Sequence, residues 1–139
     1  VRAEHLYRLR FTYSEYWSVG ASGPMQQNFG LASGRCEGRV SGTFRGANHA
    51  RIRPDNVYLP DLQGYITTED GGEILVDIRG RGRIRDDGSF RATGTATHVS
   101  GDERYSFLND GVCALEAGDV SDEETAIDVY ELIWEPIAE

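Results

Sequence analysis

The sequence predicts an all-β chain of roughly eight to ten short strands, closed as a barrel or packed as a sandwich. Three observations predict it. Apolar residues recur at every second position along most segments. Turn signals rich in Gly, Asn and Asp recur about every 8–12 residues. No stretch of about a dozen residues keeps a 3.6-residue apolar spacing free of glycine. The 17 glycines against 4 prolines fit many tight turns and kinked strands. At 139 residues, one domain over 1–139 is expected, large enough to bury a core without staples.

The elements follow in order. "LYRLRFTY" puts Tyr7, Leu9, Phe11 and Tyr13 on one face and Arg8, Arg10 and Thr12 on the other, a half-buried strand. "CEGRVSGTF" and "HARIR" read as short strands broken by glycine. "NVYLPDLQGYITTEDGGEILVDIRG" holds two strands around the hairpin signal "EDGG". "SFRATGTATHV" places Phe90, Ala92, Gly94, Ala96 and His98 on one face. "DERYSFLNDGVCALEA" is read as continuing the strand pattern, with Asn109-Asp110-Gly111 as a turn. "TAIDVYELIWE" closes the chain as a long strand, because a β-branched and aromatic run disfavours a helix there.

"DIRGRGRIRDDG" carries Arg79, Arg81, Arg83 and Arg85 at alternate positions, opposite Ile74, Val76, Ile78 and Ile84. The plainer reading is one solvated strand face, with Gly80 and Gly82 marking a bend. The sharper reading turns the polar face into the barrel, where Arg79, near Asp77, would bind a carboxylate or enolate oxygen.

Other candidates come from residue chemistry. His98 ends a row of small residues and would line a pocket; strand packing with His98 at a wet edge explains it as well. Tyr105, Phe107 and Asn109 would share a strand face, and Tyr and Asn can donate to a developing oxyanion. Asn48, His49, Arg51, Arg53 and Asp55 lie close in sequence, and a histidine beside carboxylates can move protons near neutral pH. A polar loop accounts for the same group.

Composition excludes several classes. The net charge of −9 argues against a nucleic-acid partner. All 14 basic residues are Arg, so there is no Schiff-base lysine. From Glu116 onward there are nine carboxylate side chains and no Arg. No nucleophile elbow, phosphate loop, dinucleotide fingerprint or paired-cysteine zinc pattern occurs, so neither metal nor cofactor is expected. No apolar run approaches membrane-spanning length and no signal peptide is visible, so a cytoplasmic setting is expected, with no membrane partner. Cys36 and Cys113 read as free, partly buried thiols, and a single disulfide stays open.

The order of "GRVSGTFRGANHARIRPDN", "GYITTEDGGEILVDIRGRG", "FRATGTATHVSGDERYSFLNDGVCALEAG" and "IDVYEL" resembles an uncharacterised bacterial family, domain of unknown function 3237, from Leu6 to Leu132. The resemblance implies a closed or nearly closed antiparallel β-barrel. It matches Gly46, Arg53, Pro54 and Asp55, then Tyr65, then Arg79 and Gly80, then Tyr105, Leu108 and Asn109. The chain departs from the family's pattern at Asn48-His49, where Asp-Trp is frequent, and at Asn56, where Gly is.

The expected function is therefore a small-molecule barrel. As an enzyme it would run cofactor-independent isomerisation, cyclisation or hydrolysis of an apolar or aromatic carbonyl or carboxylate compound. Arg79 would hold the anionic oxygen, Tyr105 with Tyr65 and Asn109 would orient it, and His98 or His49 would move the proton. Asn48, Arg53 and Phe107 would complete the contacts. The alternatives are a non-catalytic carrier barrel and an oligomeric interaction module. "IDVYELIWE" is apolar on both faces, which leaves a homodimer open.

Overall fold

In a computed structural model, described for residues 1–20 and 25–138, the chain forms ten strands and one 3₁₀ helix. The strands are β1 (Arg2–Val19), β2 (Gln26–Gly38), β3 (Gly42–Asn48), β4 (Arg51–Ile52), β5 (Val57–Leu59), β6 (Asp61–Thr68), β7 (Glu73–Ile84), β8 (Phe90–Val99), β9 (Cys113–Asp119) and β10 (Glu124–Ile133). Eight of them close an antiparallel barrel in the cyclic order β1-β2-β3-β6-β7-β8-β9-β10. The short β4 and β5 bridge the start of β2 to the end of β7 at one rim. Closure leaves the eight strands no free edge within the barrel.

The alternation read from sequence decides which face is inside. Tyr7, Leu9 and Phe11 of β1 are buried while Arg8, Arg10 and Thr12 are exposed. On β7, Ile74, Val76 and Ile78 are buried and the arginine row lies outside. Two irregularities bend β1. The first, between His5 and Tyr7, lets consecutive Leu6 and Tyr7 both be fully buried. The second, between Tyr13 and Glu15, resets the alternation so that Tyr13 and Tyr16 both lie over Gly30.

Several expected elements need correction. "DERYSFLN" is not strand: Glu103–Leu108 is the 3₁₀ helix, whose N-terminus is capped by the Asp102 carboxylate accepting from the Arg104 N–H at 2.9 Å. The strand read into "CEGRVSGTF" is interrupted by the turn at Arg39–Ser41, which buries Val40 completely. The strand β2 starts ten residues earlier, at Gln26, where only "CEG" had signalled it.

The two ends of the barrel differ. One end is closed by the 3₁₀ helix, which buries Tyr105 and Leu108, and by Leu6 and Val40. The other is open and framed by β4, β5 and the β7–β8 and β9–β10 turns. Cys36 and Cys113 are free and buried, and burial raises their thiols to about 12 and about 11.

Candidate functional site at the barrel mouth

The open end holds a cavity of about 590 Å³. Its walls include Tyr13, Tyr16, Tyr58 and Phe90, its rim carries Asp87, Asp119, Asp122 and Glu123, and among the described residues no basic side chain lines it. Below it, the barrel interior is filled. An apolar void lined by Phe11, Leu62, Ile78, Leu115 and Ile127 measures about 20 Å³, room for about one water.

The floor of the mouth is a hydrogen-bond network built around Asn48. Its Oδ1 accepts from the Asp61 backbone N–H at 3.0 Å, which orients the amide. The Nδ2 then donates to Tyr13 Oη at 2.9 Å and Tyr58 Oη at 3.1 Å. The three side chains come from β3, β1 and β5. Asn48 is 3% exposed and Tyr58 is 8% exposed. Burial, partly offset by the Asn48 amide, raises both phenols above their ordinary range.

Asp119, at the end of β9, is held above its ordinary range. Burial is the main cause, reinforced by Asp122 and Asp87. The Phe90 N–H donates to its Oδ2 at 3.0 Å and works in the opposite sense. The charge of Asp119 also contributes to raising Tyr13, so the two groups feel each other across the mouth.

The residues expected from sequence disperse over the molecule. Arg79 does not enter the barrel: its side chain is 68% exposed on the outer face, beside Asp77 at 3.4 Å and Asp61 at 3.8 Å. An apolar face opposite it takes the core, and turning four guanidiniums inward would leave them without counter-charges. His49 is exposed and bonded to Gln27 Oε1 at 2.9 Å. Arg53 pairs with Asp55, and Tyr65 lies on the outer face. Phe107 is exposed beneath the Arg39 guanidinium. Tyr105 is buried at the closed end, donating to Asp70 at 2.8 Å. Asn109 brackets Ser100, accepting from its N–H at 2.7 Å and donating to its carbonyl at 2.9 Å. His98 is inside but near the closed end, bonded to Tyr7 Oη at 2.8 Å. Of the expected set, Asn48 alone reaches the mouth. Among the described residues no helix is long and apolar enough to cross a membrane, and no three His, Cys, Asp or Glu could hold a metal.

Tyr13, Tyr16, Tyr58 and Asp119 were not singled out by sequence. Tyr13 was legible as the last inward residue of β1, whereas Tyr16 depends on the irregularity at Ser14 and Tyr58 on the three-residue β5.

Known structures share this architecture. A beta-barrel like protein from Acinetobacter baumannii is 17% identical, covers 94% of this chain and 94% of its own, and superposes with a TM-score of 0.83. A protein with unknown function from Clostridium acetobutylicum is 15% identical over 96% of this chain and 100% of its own, with a TM-score of 0.86. An enzyme from Penicillium herquei is 16% identical over 92% and 93%, with a TM-score of 0.67. At these identities the likeness is one of fold. No curated protein matches in sequence. The family model described as a protein of unknown function, DUF3237, matches residues 1–132, and the chain belongs to that family.

Proposed function

We propose that the mouth binds one small, uncharged apolar or aromatic carbonyl compound and moves a proton on it. A count of phenolic protons carries this reading. Tyr13 and Tyr58 each accept from Asn48 and each keep a proton of their own. They can satisfy one another only once, so one O–H remains to be offered to a bound oxygen. Tyr13, the less buried of the two phenols, is that donor. Asp119, with a raised carboxyl and one oxygen not engaged by Phe90, is the base. Removing a proton next to the carbonyl while Tyr13 donates to its oxygen gives an enol, and returning the proton elsewhere completes an isomerisation or prepares a ring closure. The chemistry calls for no cofactor.

Four carboxylates and, among the described residues, no arginine line the mouth, which disfavours a carboxylate ligand, so the compound is uncharged. The Penicillium enzyme, with the same fold, lends support to a catalytic reading. A carrier is the second reading, but a filled interior gives it no chamber in which to enclose a ligand.

The test is α-proton exchange in D2O, followed by proton NMR across a panel of neutral aromatic and alicyclic ketones. Wild type should accelerate exchange for a subset. Asp119→Asn and Tyr13→Phe should each lower that rate by roughly 10²-fold while ligand binding persists. Binding without exchange in wild type would establish the carrier instead, and unchanged rates in both variants would remove the assignment.

A further inference from the structure

The strand β1 runs past the closed barrel. It pairs with β10 only as far as Thr12, opposite Glu124, whereas its pairing with β2 continues to Val19, opposite Gln27. From Ser14 to Val19 the side of β1 turned away from β2 has no strand partner among the described residues. Every second residue of that stretch turns its backbone N–H and C=O to this open side. Such an edge is a template for another strand, and chains usually blunt it with proline, lysine or an inward-pointing charge. The stretch "SEYWSV" has none of these, and its one charge, Glu15, lies on the outer face.

The side chains around the edge set the chemistry of what can pair there. Glu15, Trp17 and Val19 share the outer face, where the exposed Trp17 lies tilted against Phe29 at 6.1 Å between centroids. Tyr16 falls on the other face and lines the mouth together with Asp122 and Glu123 of the β9–β10 turn, so the edge looks across the cavity at that turn. Glu15, Asp122 and Glu123 are exposed and make no ion pair among the described residues. The cations nearest in the sheet are set back from the edge. Arg10 is held by Glu124 at 3.6 Å, and His49 and Arg51 lie on the far side of β2.

We propose that the edge from Ser14 to Val19 takes up an extended peptide segment bearing arginine or lysine, as an added strand. The edge asks for an extended chain, since a row of alternate N–H and C=O groups is satisfied by another strand. The unpaired carboxylates ask for positive side chains, and the exposed Trp17 ring offers its face to one of them. The added strand continues the line of β10 beyond Glu124. One of its faces then meets Glu15 and Trp17, and the other looks into the mouth toward Asp122 and Glu123. A second copy of this chain fits the same edge poorly. Pairing two of these edges would bring Glu15, Asp122 and Glu123 of both chains together, between molecules of net charge −9. The docking does not rest on the chemistry proposed for the mouth.

The experiment uses the whole protein at about 0.15 M salt, where only charges within about 8 Å still act strongly. The probe is a labelled peptide of about six residues, the usual strand length, alternating arginine and valine. Two controls accompany it. One alternates glutamate and valine; the other is the arginine peptide with every backbone N–H methylated, which keeps the charge and removes the donors. By fluorescence anisotropy the arginine peptide should bind about tenfold or more tighter than either. Amide hydrogen exchange followed by NMR then locates it: alternate N–H groups between Ser14 and Val19 should gain protection on binding. Glu15→Arg with Glu123→Arg should weaken the arginine peptide by about tenfold and take up the glutamate peptide instead. If that variant does not fold, the exchange pattern in wild type decides alone. Equal binding of the methylated peptide, protection elsewhere in the barrel, or no binding would each overturn the proposal. Protection of the same amides in the protein alone, rising with its concentration, would assign the edge to a second copy and overturn it as well.

Discussion

Phe44→Ala is expected to lower the unfolding free energy by about 3–5 kcal/mol, measured by urea denaturation. Phe44 is 1% exposed on the inner face of β3, and its ring lies tilted against Phe11 at 6.1 Å between centroids. The ring fills space that two glycines leave. A methyl group added at Gly64 would come within 2.1 Å of the Phe44 ring, and one at Gly46 within 2.8 Å. Deleting the ring opens a cavity whose nearest walls have no side chains to relax into it, which puts the cost in the upper part of the range. The same geometry predicts a sign change. Gly64→Ala overpacks the wild-type barrel and destabilises it, yet it refills part of the cavity in Phe44→Ala. A double-mutant cycle should therefore show strong coupling, with the double variant more stable than the sum of the single losses. Additive losses would mean that the ring and Gly64 do not share that space.

That packing is an instance of what the sequence carried and what it did not. Strict alternation in "LYRLRFTY" and "EILVDIRG" makes two faces legible, and the apolar one goes inside, as it does for β1 and β7. The same rule places Asn48 inward and His49 outward, one residue apart, so a pair read together from sequence is separated by the barrel wall. Arg79 was assigned to a pocket only by reversing the rule for β7, and the apolar face did not yield. The 3₁₀ helix at Glu103–Leu108 escaped because Tyr105 and Leu108 are three apart, and so few residues show no period that could be told from a strand ending in a turn. The mouth was the least legible part. Its residues come from β1, β3, β5, β8 and β9, and only closure of the barrel brings them together. The raised carboxyl of Asp119 has no sequence signature either, since nine carboxylates follow Glu116 inclusive and the effect depends on which of them is tucked against the rim.

His98 should make the fold acid-sensitive in a window where its carboxylates are still ionised. The imidazole is 3% exposed, its Nε2 bonded to Tyr7 Oη, and its Nδ1 is buried with no partner among the described residues. Burial lowers its pKa from 6.5 to about 4. A folded-state value below the unfolded one means that the unfolded chain binds the proton first as pH falls. Stability from this group is therefore intact above about pH 6.5, declines between there and about pH 4, and levels off below. With about 1.36 kcal/mol per unit, the loss between pH 7.5 and pH 5 is about 2 kcal/mol, rising to about 3 kcal/mol at lower pH. Depressed carboxylates such as Asp128 and Asp102 give the same sign of dependence, but at lower pH, as their protonation begins. Comparing wild type with His98→Gln by urea denaturation at pH 7.5, 6 and 5 isolates the imidazole. The variant starts less stable, because it disturbs the Tyr7 contact, yet its stability should stay nearly flat across the window while that of wild type falls toward it. Parallel slopes for the two proteins would show that His98 takes up its proton in the folded state as easily as in the unfolded one, through an opening of the closed end that admits water to Nδ1.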